Sequence, residues 1–343
     1  MPRPAAVSLL PRLAGGLSAL AVLAALAVCL FMFKPWSGNA EPPPRKAPGE
    51  EFAADRFPAA GPVAFDAKRA MGYLEAVCKI GPRISGSEGM KKQQDLLDKH
   101  FRDLGGKISW QRFNAKQRST PRPVEMTNLI VSWHPERTKR VIFCSHYDTR
   151  PLADQEADTR RWRQPFVSAN DGGSGVALLM ELAHHMKGID TAVGVDFVFF
   201  DGEEYVFDLR DEYFFGSKHF GKQYRKARGP DRYVAAILLD MVGGKGARFP
   251  IEQTSWFKAP ALARSVWGVA SELKATAFRA DALSKTAVED DHVPLNAAGI
   301  PAIDIIDFDY PHWHKLSDLP ENCSGESLGQ VARVLTVWLQ RMK

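Results

Sequence analysis

The stretch Gly194-Val195-Asp196-Phe197-Val198-Phe199-Phe200, followed at once by Asp201-Gly202-Glu203-Glu204, decides how this chain folds. Its apolar centre is broken only by Asp196. A nearly continuous apolar run of this kind marks a strand buried on both faces. Arg140–Ser145 and Ala235–Asp240 have the same character, and Ile108–Phe113, Asn128–Trp133 and Ala302–Ile306 complete a set of six expected strands. Helical stretches alternate with them: Asp66–Lys79, Ser87–Leu104 with Ser87 as N-cap, Ser174–Met186, Gly216–Lys226, Ala259–Glu272 and Ser327–Met342. The pattern predicts an α/β fold, a mostly parallel central sheet with helices on both faces. In such sheets ligands sit beyond the carboxyl ends of the strands.

Acids and histidines gather at those ends. Glu203 and Glu204 follow the 194–200 strand, His146 follows the 140–145 strand, and Asp240 closes the 235–240 strand. Asp171 precedes the Gly-rich turn that opens the helix at Ser174, so it can point back at the same edge. His314 lies in an aromatic loop, and Glu289-Asp290-Asp291-His292 adds further carboxylates. One histidine and two carboxylates form a sound catalytic zinc set with one position left open. Neighbours on an extended segment point apart, so one member of the Glu203–Glu204 pair can hold a metal while the other faces substrate as general acid/base. A carboxylate directly after Ile237-Leu238-Leu239 needs a metal or a hydrogen bond to offset its desolvation. Other readings stand beside these. His146 could be a satisfied core histidine, Asp290 and Asp291 plain loop acids, and Trp313 a core residue. His100, His184, His185 and His219 read as surface histidines, and His292 as a supporting group behind the site.

The 343 residues, 45% of them hydrophobic, suffice for one large α/β domain. The net charge of +5 is mild and spread out, and the basic runs at 139–140 and 160–163 lack a repeated aromatic partner. No nucleic-acid surface is expected. Leu13–Phe33 is uncharged and long enough to cross a bilayer core, with Arg3 and Arg12 ahead of it. The expected organisation is a signal-anchor or signal segment over 1–36, a Pro-rich linker over 37–62 and a catalytic domain over 63–343. The membrane is then a partner, and the domain is exported, either anchored or released after cleavage at Ala40. Cys78, Cys144 and Cys323 in an exported domain permit one internal bridge at most, and the sequence does not choose the pair.

The order Gly81-Pro82-Arg83, His146-Tyr147-Asp148, Asp171, Asp201-Gly202-Glu203-Glu204, Gly216-Ser217-Lys218-His219, Asp240, Asp290-Asp291-His292 and Trp313-His314 resembles the M28 zinc peptidases. Within them it resembles the animal-type glutaminyl cyclases. Asp290-Asp291-His292 stands where peptidases more often have Ser-Asp-His, and Trp313 directly precedes the last histidine. The resemblance implies an enzyme that converts the N-terminal glutamine of peptides or proteins to pyroglutamate with release of ammonia. It implies one zinc held by Asp171, Glu204 and His314, with Glu203 as general acid/base and Asp240 and Asp290 behind it. It also implies that Trp313, Tyr310 and Phe207 line the substrate pocket.

Three features depart from that family. Leu209 stands near where a pocket tryptophan is expected, Cys144 lacks the second cysteine of the animal enzymes' bridge, and Asp171-Gly172-Gly173-Ser174-Gly175 is peptidase-like. With His146 and Asp240 the ligands of a two-zinc aminopeptidase are present as well. Hydrolysis of N-terminal residues is therefore the alternative activity.

Overall fold

The computed structural model describes residues 61–227 and 232–343. The apolar stretch Leu13–Phe33, and the linker up to residue 60, lie outside the described residues. Among the described residues no helix is long and apolar enough to cross a membrane.

Six strands form one sheet in the order β1-β2-β4-β3-β5-β8. They are β1 (Lys107–Ala115), β2 (Val124–Trp133), β3 (Lys139–His146), β4 (Gly194–Phe200), β5 (Arg232–Asp240) and β8 (Ala302–Ile306). β4, β3, β5 and β8 run parallel, while β1–β2 and β2–β4 pair antiparallel, so only β2 runs against the rest. Each strand expected from the sequence is present, extended by up to four residues. A separate parallel pair, β6 (Phe249–Ile251) and β7 (Phe278–Leu283), has no counterpart in the sequence reading. Both are short or half-exposed, without a sustained apolar period.

The sheet is covered on both faces. Val141 and Phe143 of β3 point into the larger core, packed by α1 (Ala67–Lys79), α2 (Glu88–Asp103), α3 (Gly173–Met186), α6 (Pro260–Glu272) and α8 (Gly325–Gln340). Ile142 and Cys144 point the other way, toward Phe220 of α4 (Phe215–Lys226) and Leu295 of α7 (His292–Ala297). This two-sided burial is why β3 and β4 read as unbroken apolar runs. The exception, Asp196, is neutralised in place. Arg140 of β3 donates to it from Nε (2.9 Å) and Nη2 (2.6 Å), and the Tyr233 hydroxyl adds a bond at 2.7 Å. Ser87 caps its helix as expected, accepting from the Met90 amide; Asp66, expected as the first helical residue, is instead the N-cap of α1 and accepts from the Arg69 amide.

Two short helices were not expected, α5 (Gln253–Lys258) and α7. α7 changes the reading of Asp290 and Asp291. They are not loop acids in water; they are buried where the six-residue α7 begins. Six residues are too few to display a helical period in the sequence.

Candidate metal centre

The carboxyl ends of β3, β4 and β5 deliver His146, the Glu203–Glu204 turn and Asp240 to one place. α3 supplies the fourth wall. It starts at Gly172 with φ +76, and a Cβ there would lie 2.7 Å from Cε1 of the His146 ring. At Gly175 a Cβ would lie 2.3 Å from both the Leu239 carbonyl and Ser145 Oγ. Glycine at these two positions lets the helix press onto the strand ends and brings Asp171 against His146. The loop after β8 carries His314, whose φ of +51 is left-handed, a conformation histidine tolerates better than most residues.

Two acids outside the expected ligand set hold the segments. The carboxylate of Asp148 accepts from the amides of Glu203 (3.1 Å) and Glu204 (3.2 Å). That of Asp318 accepts from the amides of Asn170 (2.8 Å) and Asp171 (3.1 Å) and from the Tyr310 hydroxyl (2.9 Å). The first fixes the Glu203–Glu204 turn, and the second ties the Asp171 turn to the loop after β8.

Two triads share Asp171, His146–Asp171–Asp240 and Asp171–Glu204–His314, and among the described residues a third group, His146–Glu203–Glu204, lies equally close. Asp171 Oδ1 lies 3.1 Å from His146 Nε2, and Oδ2 lies 3.4 Å from His314 Nε2. His146 Nε2 is also 3.3 Å from Asp240, and His314 Nε2 is 3.0 Å from Glu204 Oε2. In both triads the ligand atoms lie within 4.8 Å of one another. Asp171 Oδ2 is buried without a hydrogen-bond partner. A buried, unpaired carboxylate oxygen facing an imidazole nitrogen and a second carboxylate fits a divalent metal, and one histidine with two acids suits zinc.

Glu203 and Glu204 separate as neighbours on an extended segment should. Glu204 turns to His314; Glu203 turns the other way, its Oε2 3.8 Å from His146 Nδ1, and is more open to solvent, at 13% against 3%. Burial pushes the Glu203 carboxyl well above its ordinary pKa, with the charges of Glu204, Asp290 and Asp291 adding to it. Burial and then Asp171 raise Glu204 to about 7. Asp240 is raised by burial, and Asp290 strongly so by burial and then by Asp240 and Asp291. Burial works against His314, but Asp154 and Glu204 outweigh it and raise the ring to about 9. Asp171 goes the other way: its burial is outweighed by the two histidines. So many carboxylates in one dry place lack cations, the condition a bound metal relieves.

The aromatic residues divide. Trp313 is half-buried, its ring lying over His314 (centroids 4.1 Å apart) and beside Phe308 (5.1 Å). Tyr310 is not a pocket wall: it is buried, packed with Met241, Val288 and Ile306, and its hydroxyl is committed to Asp318. Phe207 packs edge-on against Tyr205 in a small cluster with Met126 and Ala115, which draws it toward β1 and β2. Leu209 is 86% exposed. His292 is buried beside Glu252, 3.3 Å away, and touches neither triad. Cys78, Cys144 and Cys323 are all buried free thiols.

The sequence reading missed Arg150, Asp154 and Asp304. Arg150 contacts Glu204, and Asp154 contacts His314. Asp304 is fully buried in β8 with neither carboxylate oxygen hydrogen-bonded. An acid inside Ala302-Ile303-Asp304-Ile305-Ile306 carries the same signal as Asp196, and that signal could have found it.

The chain belongs to peptidase family M28, whose characteristic sequence matches residues 128–339. Within that family it stands with the glutaminyl cyclases. It is similar to the glutaminyl cyclase of Fimbriiglobus ruber, at 51% identity and a TM-score of 0.81, over 83% of this chain and 98% of that one. A Zn-dependent exopeptidase of Parabacteroides distasonis is similar at 31% identity and TM-score 0.74, over 81% and 99%. The glutaminyl-peptide cyclotransferase of Drosophila melanogaster is 24% identical over 71% of this chain and 73% of its own length.

Proposed function

We propose that this protein is a zinc-dependent glutaminyl-peptide cyclotransferase, converting the N-terminal glutamine of peptides or proteins to pyroglutamate and ammonia. The observation that carries this reading is the likeness, across nearly the whole length of the other chain, to the Fimbriiglobus ruber glutaminyl cyclase. Asp171, Glu204 and His314 would hold one zinc, which when bound supplies a Lewis acid for the γ-carbonyl of the glutamine. Glu203 accepts a proton from the substrate's α-amine and returns one to the departing ammonia. Its raised pKa suits both halves of that exchange. Burial raises Glu203 first, and the neighbouring carboxylates Glu204, Asp290 and Asp291 add to it; Asp240 stands further back, against His146. Trp313 offers a flat apolar wall for the glutamine side chain. The nucleophile is tethered to its target, so ring closure needs orientation more than activation.

The second triad, His146–Asp171–Asp240, favours one alternative: a two-zinc aminopeptidase in which Glu203 activates water. Incubating the enzyme with a Gln-initiated peptide and, separately, Leu-p-nitroanilide tests the proposal. Ammonia without released residues is expected; released leucine with an inert Gln-peptide would overturn it. Zinc content gives a second measure, with about one zinc per chain expected and two tightly held zincs favouring the aminopeptidase.

We propose further that Leu13–Phe33 anchors an exported catalytic domain of residues 63–343 through the linker 37–62. The length and lack of charge of that stretch support this.

A further inference from the structure

A metal-binding histidine is oriented by whatever holds its other ring nitrogen, and such partners typically change metal affinity by about 10- to 100-fold. The two triads differ sharply here. His314 Nδ1 lies 2.9 Å from Asp154 Oδ1. Asp154 is itself held by Arg150, whose Nη2 and Nε donate to Oδ2 at 2.6 and 3.1 Å. Arg150 also reaches Glu204 directly: its amide donates to Oε1 at 3.1 Å and its Nη1 lies 3.7 Å from Oε2. The guanidinium is fixed from outside by the Tyr213 hydroxyl (3.2 Å), with the Tyr213 ring centroid 5.5 Å from its central carbon. One arginine, its side chain only 6% exposed, therefore restrains two of the three ligands, Glu204 by contact and His314 through Asp154.

The carboxylate behind His146, Asp148, stands farther off and is shared. His146 Nδ1 is buried with no hydrogen-bond partner. The nearest carboxylates, Asp148 at 3.7 Å and Glu203 at 3.8 Å, are beyond hydrogen-bond reach, and Asp148 is already occupied by the Glu203 and Glu204 amides.

The geometry points to Arg150 and Asp154 as a positioning pair that presets the Asp171–Glu204–His314 triad for one divalent metal and leaves the His146–Asp171–Asp240 triad unset. Asp154 accepts a hydrogen bond from Nδ1–H of His314, which fixes that tautomer and leaves the Nε2 lone pair free to bind metal. Arg150 keeps Asp154 ionised and aimed, and its charge lowers the cost of gathering Glu204 beside Asp171. Selection between one metal and two would then lie in this outer pair, since all the first ligands of both triads are present. The inference deepens the zinc reading of the site and rests on it.

The test uses the full chain and three variants, Asp154→Asn, Asp154→Glu and Arg150→Lys, each checked for native near-UV circular dichroism. Each is loaded with zinc, then titrated with dipicolinate while retained metal is measured. Each is also loaded with cobalt for its visible absorption spectrum. Asp154→Asn should lose about 10- to 100-fold in metal affinity and shift the cobalt bands. Asp154→Glu should recover part of that loss. Arg150→Lys keeps the charge but cannot grip Asp154 from two nitrogens, and should lose about 10-fold. At trace zinc kcat should fall, and saturating zinc should restore it with KM little changed. If Asp154→Asn and Arg150→Lys both keep parental affinity within about twofold and an unshifted cobalt spectrum, the positioning role is overturned. A parent protein that retains no zinc at all overturns the zinc reading beneath it, which is a separate result.

Discussion

Replacing Glu203 by glutamine should abolish most catalysis while leaving the fold and the metal in place. The side chains are nearly isosteric, and the backbone amide of residue 203 keeps its bond to Asp148. The 171–204–314 triad does not include Glu203, so the change touches no ligand there. The variant loses the group that accepts and returns the proton, and general acid/base catalysis contributes about 10²- to 10⁴-fold. That corresponds to roughly 3–5 kcal/mol of transition-state stabilisation. The loss should fall on kcat rather than on zinc content. Glu204→Gln is the paired control. It removes a charge 3.0 Å from His314 Nε2 and should release zinc first, with activity partly regained at high zinc. The assay is ammonia release from a Gln-peptide, run beside elemental analysis after dialysis. If Glu203→Gln loses zinc and Glu204→Gln keeps it, the roles assigned to the two acids are reversed and the reasoning fails.

Trp313→Ala should raise KM for Gln-peptides with zinc content unchanged, because the indole lies over His314 without belonging to either triad; a folded variant with parental KM but a lowered melting temperature would make Trp313 a core residue. The metal-free domain should lose stability as pH rises from about 4 to about 9, by about 1.4 kcal/mol per pH unit for each net proton released. The sign follows from groups whose folded pKa values are raised. Glu204, Asp291 and Asp318 at about 7 contribute stability below the ordinary carboxylate range that is lost as they ionise, and His314 at about 9 contributes stability below 6.5 that is lost above. Thermal melts across pH with and without zinc check this, and a melt flat over that range refutes it; zinc should restore stability at the alkaline end. Deleting residues 1–62 behind a replacement export signal should give a soluble enzyme of near-full activity, whereas the full chain should stay in the membrane pellet after a carbonate wash. Full-length protein found soluble and beginning at Glu41 would establish cleavage instead.

Strands whose residues face two cores were legible because burial on both sides leaves little choice but apolar residues, as in Val141–Cys144 and Val195–Phe200. Helices long enough to show a period, such as 88–103, were legible too. What escaped was short or defined by distant partners. α7 has six residues and no sustained pattern. The resemblance implied Tyr310 as a pocket residue, yet its hydroxyl serves Asp318, eight residues on. Arg150 and Asp154 read as ordinary charged residues of a loop. Their significance lies in contacts to Glu204 and His314, 54 and 160 residues away, which spacing along the chain does not reveal.

The central claim is that the attacking group is the substrate's own amine and not water. Turnover of a Gln-peptide in heavy-oxygen water, followed by mass spectrometry of the product, tests it most directly. The account predicts a pyroglutamyl peptide lighter than the substrate by one ammonia, free of heavy oxygen, with no shortened peptide. Heavy oxygen in the product's carboxylate, or a peptide missing its first residue, would contradict it.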